Sequence, residues 1–446
     1  MINKTVQITK SYFQIITRRI PSNFFSGLNP LEKDTFKKHL VYMLLEGVIL
    51  GVLALNEFVF LKSLKGSNYQ LGFLFQFSIV LFAFLVLINE FMKRIRDRKK
   101  LLRWVAWITR LPLALIYFFP HSANIQSQPY YHYIFLGLFL LYFTGNIFIL
   151  PNINFLLKNS YRHKNFGKLY SYSLSMNKVV MLIVTFVYGY LLDSDNFVFV
   201  YIFPVVAGIG ILSLYILSSI SFPVEKMVAV QSGIWASIKK SISEMVNILK
   251  SNVPYRHFEI GFMIYGFSFL ISVTVITIYF YDALNLNYSS VAFYKNSYNI
   301  LAIILLPFFG KVMGRIDPRK FAAFTFLSVG LYIFSVLITS WLPQHFVFSG
   351  ITIYYTLLFY VLFQGIFSAT MTLLWNIGSA YFCKPSEAGT YQSLHLSLTG
   401  IRGIFAPLLG VLSYESIGFE ATFIIAITFS MAAVALMIWS AKVENR

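Results

Sequence analysis

Charged residues are scarce in this sequence. Asp, Glu, Lys and Arg together account for 12% of its 446 residues, whereas a soluble globular domain contains about 25%. Hydrophobic residues account for 57%. This composition excludes an ordinary cytosolic enzyme and favours a chain that lies mostly in lipid.

Cysteine is almost absent, since Cys383 is the single one. An intrachain disulfide, a cysteine-based zinc site and an iron–sulfur cluster are therefore excluded. The sequence also lacks metal-ligand spacings and a phosphate-cradling Gly-Lys-Ser/Thr loop. We therefore expect no metal, no cofactor and no direct use of ATP.

Acidic residues are the scarcer charged class, with 17 Asp and Glu against 36 Lys and Arg. The apolar share is too high for the net charge of +19 to indicate nucleic-acid binding, so we expect no nucleic-acid partner. A chain that is both basic and hydrophobic is typical of a membrane protein with cationic cytoplasmic loops.

Long apolar stretches, by contrast, are abundant. A hydrocarbon core of roughly 30 Å requires about 20 mostly apolar residues per helix. Twelve stretches meet this requirement and are named spans one to twelve: 39–61, 70–92, 101–120, 130–156, 168–192, 196–220, 258–281, 290–314, 320–342, 346–374, 389–414 and 418–441.

The basic residues outside the spans predict the orientation. Thirty Lys and Arg lie in the tails and loops of one side, and only Lys62 and Lys65 lie on the other. Because positive loops stay in the cytoplasm, we expect both termini to be cytoplasmic. With no organelle signal in the sequence, a bacterial inner membrane is the default location of this multi-pass protein.

The loop between spans six and seven divides the chain into two halves. Apolar residues recur there every three or four positions from Ile234 to Ile248, which predicts an amphipathic helix on the inner surface. The predicted organisation is a cytoplasmic tail (1–37), an N-terminal six-helix bundle (38–220), a cytoplasmic linker (221–257), a C-terminal six-helix bundle (258–441) and a second cytoplasmic tail (442–446).

The two halves repeat each other. Residues 89–99 align without a gap on residues 310–320, and five identities recur at an offset of 221, namely Met92, Arg94, Ile95, Arg98 and Lys99 on Met313, Arg315, Ile316, Arg319 and Lys320. About one identity is expected by chance, and transporters are commonly built from such internal repeats.

On this layout and these basic loops, residues 38–441 resemble the major facilitator superfamily of secondary transporters. The resemblance implies an all-α integral membrane fold with twelve transmembrane helices in two pseudo-symmetric six-helix bundles. It also implies gating roles for six loop cations, Arg94, Arg98, Lys99, Arg315, Arg319 and Lys320. This sequence departs from the family motif at Asn89, where the first Gly belongs, and at Lys93 and Gly314, where the Asp belongs.

Ionisable residues inside a span are costly and normally face the bundle interior. In span eleven His395 and Arg402 lie on one helical face, and in span five Lys178 ends a similar polar stripe. The candidate substrate-binding residues are Lys178, Arg402, His395, Asn154, Gln364 and Asn376, and Glu46 in span one is the candidate for proton coupling.

Each of these interpretations has a structural alternative. Lys178 and Arg402 could pair internally with Glu46 or with carbonyl groups, and His395 is more often a packing residue than a proton relay. Arg110 in span three is expected to form a structural ion pair. Lys295, near the outer end of span eight, is expected to extend its amine to the surface.

The sequence thus predicts a secondary active transporter of a small polar organic solute, with an anion or zwitterion favoured over a cation. Its expected partners are that solute, the lipid bilayer and a coupling proton or ion, and a monomer is expected. The alternatives are a membrane-embedded transferase enzyme and a non-transporting sensor on a transporter fold. The resemblance leaves symport, antiport and uniport open.

Overall fold

The computed structural model describes residues 27–92, 94–95, 97–221, 233–384 and 387–443. Within these ranges the chain is helical almost throughout. The described part of the first half contains eight α-helices, with 3₁₀ segments at Leu81–Phe84, Leu111–Phe118 and Ala123–Ser127. The helices are α1 (Pro30–Leu53), α2 (Asn56–Lys62), α3 (Asn68–Val80), α4 (Leu85–Met92), α5 (Arg98–Arg110), α6 (Tyr130–Ser160), α7 (His163–Ser194) and α8 (Phe199–Ser218).

The linker helix α9 (Ile234–Ser251) joins the halves and is the amphipathic helix that the sequence predicts. The second half contains α10 (Val253–Asp282), α11 (Tyr288–Met313), α12 (Pro318–Trp341), β1 (His345–Phe348), β2 (Ile351–Tyr354), α13 (Tyr355–Leu373), α14 (Ala388–Gly403) and α15 (Ala406–Val443). A π-helical turn (Leu374–Gly378) and a 3₁₀ turn (Ser379–Phe382) follow α13.

Ten stretches of the described chain are long and apolar enough to cross a membrane. One of them, Thr390–Val443, has 54 residues and covers predicted spans eleven and twelve. It includes most of α14 and all of α15, and α15 is broken at Gly418, where φ is 77°. The apolar helix Asn68–Phe84 is shorter and continues into α4. The twelve predicted spans are therefore consistent with the structure, and the all-α membrane fold is confirmed.

Span ten begins later than predicted. Residues 346–354 form a β-hairpin instead of helix, with His345 paired to Tyr354 and Phe348 to Ile351. Ser349 and Gly350 make the turn at φ of 48° and 76°, and two consecutive positive φ values define the turn that favours a tight hairpin. On either side of Ser-Gly the strands contain aromatic and β-branched residues, which are typical of a hairpin. Hydrophobicity alone does not distinguish such strands from a membrane-spanning helix.

Equivalent helices approach each other closely in both halves. In the first half α1 packs on α7, and a Cβ added at Gly51 would lie only 2.8 Å from the carbonyl oxygen of Met181. In the second half α15 packs on α10, and a Cβ at Gly410 would lie 2.7 Å from the carbonyl oxygen of Ile271. Glycine is required at both contacts because any side chain would force the helices apart.

Candidate functional site

A cavity of about 100 Å³ lies between the two halves. Two aromatic side chains of the first half, Phe58 and Phe75, close one side of it. The second half contributes the other lining residues, Val273, Ile276, Thr277, Phe280, Val291, Lys295, Tyr298, Tyr332, Tyr360 and Gln364. The cavity is thus mainly aromatic, with a cation, an amide and hydroxyl groups on its wall.

The side chain of Lys295, on α11 of the second half, contacts residues of the first half. Its Nζ lies 3.6 Å from Oε2 of Glu57 on α2, with the two side chains 27% and 24% exposed. Nζ also donates to the carbonyl oxygen of Ala54. The ammonium therefore reaches across the interface instead of extending to the surface, and it forms an ion pair between the bundles at the cavity.

Gln364 on α13 is the predicted binding residue that lines the cavity. Its Oε1 is buried and accepts no hydrogen bond from any residue that the structure describes. A buried polar atom without a partner is costly, so Gln364 presents an unsatisfied acceptor beside the tyrosines. Tyr332 and Tyr360, which are buried, supply rings as well as hydroxyl groups.

Arg402 packs against α10 and is 2% exposed. Its Nη1 donates to the carbonyl oxygen of Phe262, and its guanidinium carbon lies 5.6 Å from the centre of the Tyr265 ring. Gly266 leaves the space that the guanidinium occupies, since a Cβ there would overlap it. Arg402 is thus held inside the second half.

His395 also faces α10, seven residues before Arg402 on the same helix. Its Nδ1 lies 3.1 Å from both carboxylate oxygens of Glu259, and the two residues are 1% and 3% exposed. Glu259 is a functional candidate that sequence reasoning missed, because residue 259 lies at the very start of predicted span seven (258–281). Its spacing from Phe262 and Gly266, at three and seven residues, was the available signal.

Glu46 on α1 joins a polar group inside the first half. Its Oε1 accepts a hydrogen bond of 2.6 Å from Oγ of Ser213, and it interacts electrostatically with Arg110. Arg110 is 1% exposed, donates to the carbonyl oxygen of Tyr142 at 2.7 Å and to Oδ1 of Asn146 at 3.2 Å, and lies over the Tyr142 ring. The carboxylate of Glu46 therefore faces Arg110.

The remaining predicted binding residues lie apart from each other. Lys178 is half-buried on α7, and the structure gives it no hydrogen bond or ion pair with the described residues. Asn376 is exposed in the π-helical turn and donates to the carbonyl oxygen of Thr372 at 2.7 Å. Asn154 lies on α6, but its side chain is outside the described part of the structure.

The basic loop of the first half contacts the linker helix. Nη2 of Arg94 donates to Oγ of Ser237 at 3.3 Å, and Oγ of Ser241 donates to Glu90 at 3.3 Å. Arg98 donates to the carbonyl oxygen of Met92 at 3.2 Å, and Lys99 is half-buried in the first turn of α5. The first loop is therefore bonded to α9.

Of the three predicted gating cations in the second half, Arg319 is the buried one, at 6% exposure. It forms a bidentate contact with Asp317 at 3.1 and 2.8 Å and donates to the carbonyl oxygen of Ser440 at 3.0 Å, which ties α12 to α15. Burial alone would raise the pKa of Asp317, but hydrogen bonds from Arg319 and nearby positive charge lower it below its ordinary value. Arg315 and Lys320 are exposed.

The two bundles are bonded to each other mainly at the end of the molecule opposite α9, here called the distal end. Both carboxylate oxygens of Asp193 accept backbone N–H groups of α11 there. Apart from bonds to α9, hydrogen bonds between described residues of the two halves run from the distal end to the middle of the bundle. They join Ser63 to Tyr288, Lys65 to Tyr281, Asn68 to Glu415, Gln76 to Ile404, Lys295 to Ala54 and Asn296 to Leu182.

Two membrane-spanning bundles that meet around a cavity with polar groups on its wall and are bonded mainly at one end define a secondary transporter. A family model agrees. The model for the Major Facilitator Superfamily matches residues 40–355, more than half of the chain, and the chain belongs to that superfamily. It is therefore a multi-pass membrane transporter and not an enzyme. No curated protein matches the sequence.

Solved transporter structures share the fold. A bacterial homologue of the human lysosomal transporter Spinster, inward-facing and unoccupied, is 12% identical with a TM-score of 0.66, over 93% of this chain and 98% of that one. The nucleoside transporter NupG is 14% identical with a TM-score of 0.61, over 92% and 99%. The E. coli xylose transporter XylE is 13% identical with a TM-score of 0.60, over 92% and 99%. At these identities the likeness concerns the fold alone.

Proposed function

We propose that this transporter moves a small polar organic solute, anionic or zwitterionic, by alternating access through the cavity between its bundles. Lys295 would bind the anionic group of the solute, and Glu57 would bind a cationic group if the solute carries one. Gln364 would donate or accept a hydrogen bond within the same cavity. Because the hydrogen bonds between the bundles lie mainly at the distal end, the structure would correspond to a conformation in which the cavity is closed at that end.

One observation carries the proposal. The cavity holds a cation from one bundle that pairs at 3.6 Å with a carboxylate of the other, and a buried amide oxygen to which no described residue donates. A solute with a carboxylate or phosphate group could replace Glu57 at Lys295, and a solute N–H or O–H could satisfy Gln364. A purely apolar solute would leave both groups unsatisfied.

The form of the cavity favours a small solute. Its volume of about 100 Å³ excludes large ligands in this conformation. The rings of Tyr298, Tyr332 and Tyr360 offer flat apolar contact, and their hydroxyl groups offer hydrogen bonds. A compact zwitterion with a short apolar body would match these features.

The other predicted residues keep proposed roles. Lys178 supports an anionic solute, because a half-buried cation without a described partner is available to bind one. We retain Arg402, His395, Asn154 and Asn376 as proposed contacts of another stage of the transport cycle. Glu46 remains the proposed carboxylate for proton coupling, since protonation would free Arg110 from its negative neighbour.

We further propose that α9 and both termini are cytoplasmic and that the distal end faces outward. The strong bias of Lys and Arg toward the α9 side supports this orientation. The structure would then correspond to a state closed to the outside. A bacterial inner membrane remains the proposed location, and the domain boundaries predicted from the sequence remain proposals.

A ligand screen followed by flux measurements tests the proposal. Purified protein is heated with anionic, zwitterionic and cationic solutes, and any stabilising solute is then tested for uptake into liposomes. We expect Lys295→Met to abolish the stabilisation, because the ammonium is lost from the cavity. Lys311→Met, at an exposed position on the same helix, is the matched control and should leave it intact.

Two results would contradict the proposal. A stabilising cationic solute that still binds Lys295→Met would show that Lys295 does not select an anionic group. Binding without any uptake into liposomes would instead favour the sensor alternative. Gln364→Leu tests the site itself. It should weaken binding of the stabilising solute if the cavity is the binding site, and it should leave binding unchanged if the solute binds elsewhere.

A further inference from the structure

A groove of about 410 Å³ lies between α12 and α15 on the surface of the second bundle. Six apolar residues and two lysines of the described chain line it. It shares no lining residue with the cavity between the bundles. The groove is therefore a separate feature of the molecule, and the proposed transport does not use it.

Small residues form the floor of the groove. Ala323 of α12 and Ala441 of α15 line it and are buried, whereas Phe324 and Ile438, which also line it, are each 42% exposed. The two alanines leave space between the helices that the larger side chains border. Because these helices belong to a membrane-spanning bundle, the exposed apolar edges of the groove face lipid.

Two hydrogen bonds hold α12 and α15 together along the groove. Nη1 of Arg319 donates to the carbonyl oxygen of Ser440 at 3.0 Å, and Oγ of Ser430 donates to the carbonyl oxygen of Phe326 at 2.6 Å. On α15 these contacts are ten residues apart, or about 15 Å along the helix axis. This length is half of a hydrocarbon core of roughly 30 Å, so the groove lies within one leaflet.

The two lysines lie at one end of the groove. Lys320 is in the first turn of α12 and Lys442 is in the last turn of α15, so both lie at the end of the molecule that carries α9. Trp439, which is exposed, lies one turn before Lys442, and exposed tryptophans are typical of the membrane interface. The ammonium groups therefore lie at the depth of the lipid headgroups.

The positive charge of these lysines is not neutralised by the described residues. Both lysines are exposed, and the structure gives neither a hydrogen bond nor an ion pair with a described residue. Asp317 is close enough to Lys320 to interact electrostatically. Its two carboxylate oxygens, however, accept hydrogen bonds from Arg319, so Asp317 and Arg319 neutralise each other.

We propose that the groove between α12 and α15 binds an anionic phospholipid of the leaflet on the α9 side. One acyl chain would lie along the apolar floor, and the phosphate would contact Lys320 and Lys442. Basic residues beside a groove between membrane-spanning helices are suited to anionic headgroups. A lipid without net charge would fill the apolar part and leave both ammonium groups unpaired. The proposal goes beyond the transport proposal because it requires no solute.

A second groove provides an internal comparison. It has a volume of about 220 Å³, is formed by α1, α7 and α8 of the first bundle, and has no charged residue among its described lining residues. Ile183 is one of these residues and is exposed. We expect this groove to accept acyl chains without a preference for the charge of the headgroup.

Thermal unfolding of the purified full chain in detergent tests the proposal, since a ligand that binds only the folded state raises its stability. Phosphatidylglycerol, phosphatidylcholine with the same acyl chains and glycerol 3-phosphate are added in separate titrations. We expect phosphatidylglycerol to raise the unfolding temperature at a lower concentration than phosphatidylcholine, because its headgroup carries a net negative charge. Glycerol 3-phosphate should have no effect, because it lacks the acyl chains that the groove binds.

The double variant Lys320→Gln/Lys442→Gln removes the proposed headgroup contacts. It should raise the phosphatidylglycerol concentration that gives half of the effect by about tenfold or more, since each lysine near the membrane surface attracts anionic lipid. The control Lys240→Gln/Lys311→Gln removes the same charge from two exposed lysines that do not line the groove. It should leave that concentration unchanged.

The apolar part of the groove is tested with the lysines intact. Leu327 lines the groove and is half-buried, so the larger indole of Leu327→Trp should fill space that the acyl chain needs. We expect this variant to weaken the effect of phosphatidylglycerol. Ile183→Trp, in the groove of the first bundle, is the matched control and should not.

Four results would overturn the proposal. These are equal effects of phosphatidylglycerol and phosphatidylcholine, an equal effect of glycerol 3-phosphate, equal losses in the two double variants, and no stabilisation by any lipid. If size-exclusion profiles show that Leu327→Trp does not fold, the lysine variants still decide, because they change only exposed side chains. None of these outcomes bears on solute binding at Lys295, so the two proposals fail separately.

Discussion

A hydrogen bond between Asp193 and Tyr288 connects the two bundles at their distal ends. Oδ1 of Asp193, in the last turn of α7, accepts the backbone N–H of Tyr288 at 2.8 Å, and Oδ2 accepts the N–H of Ser289 at the same distance. A carboxylate of one bundle thus caps the helix that begins the second span of the other. Such caps satisfy N–H groups that the helix itself leaves free and interact favourably with its dipole.

Asp193→Ala should weaken the distal contact between the bundles. Loss of a helix cap costs about 1 kcal/mol, which corresponds to roughly a fivefold change in the population of the open distal end. We would measure the labelling rate of Ala292→Cys, a buried position near Gly189, in a Cys383→Ser background. Asp195→Ala is the control, because Asp195 pairs with His121 of the same bundle.

The labelling experiment has a clear contrary outcome. If Asp193→Ala and Asp195→Ala label at the same rate as the parent protein, the cap does not hold the distal end closed. Faster labelling in both would indicate general loosening of that region instead of a specific contact between bundles.

Arg319→Ala should destabilise the protein by about 2 to 3 kcal/mol, because it removes hydrogen bonds of a buried charged group. Arg315→Ala should change stability by less than about 0.5 kcal/mol, since that side chain is exposed. Thermal unfolding of both variants in the same detergent makes the comparison. Equal loss in both would mean that the contacts to Asp317 and Ser440 contribute little.

The stability of the Asp317 contact should depend on acid. The folded pKa of Asp317 lies below the ordinary value of 3.8, so its ionised form stabilises the fold above about pH 4 and this stabilisation is lost as the pH falls through the folded value. The stability difference between wild type and Asp317→Asn should therefore be full near neutral pH and shrink below pH 4. A difference that stays constant on acidification would refute the assignment.

Gly266→Ala should destabilise the second bundle, because the added methyl group would overlap the guanidinium of Arg402. Forcing extra volume into a packed site costs about 1 to 3 kcal/mol. Gly208→Ala is the matched control, since a Cβ there meets nothing within 4 Å and alanine favours the helix by up to about 1 kcal/mol. Comparable unfolding temperatures for the two variants would contradict the packing of Arg402.

The proposed orientation can be tested on intact cells. Val347 on β1 is 63% exposed, and the Lys240 side chain on α9 is 79% exposed. In a Cys383→Ser background, a membrane-impermeant maleimide should label Val347→Cys in intact cells and Lys240→Cys only after lysis. The reverse pattern would invert the topology.

The sequence was sufficient for the fold because apolar length and the repeat of the basic loop are local properties. Hydrophobicity alone could not separate the strands of 345–354 from the helix that follows, although the Ser-Gly turn was visible. Gln364, which the sequence predicts to bind the solute, lines the cavity, and its binding role stays a prediction. The sequence could not predict that Lys295 pairs with Glu57 or His395 with Glu259, because these residues lie on separate helices and meet only when the helices pack together.

The hairpin has a mechanical consequence for the distal end. Nδ2 of Asn287 donates to the carbonyl oxygen of Gly350 at 2.8 Å, and Oγ of Ser290 accepts the backbone N–H of Thr352 at 2.9 Å. These residues border the same helical turn that Asp193 caps, so the hairpin is hydrogen-bonded directly to that turn. An antibody fragment that binds β1 and β2 would therefore bind next to the junction of the bundles. We expect such a fragment to stabilise one conformation of the protein.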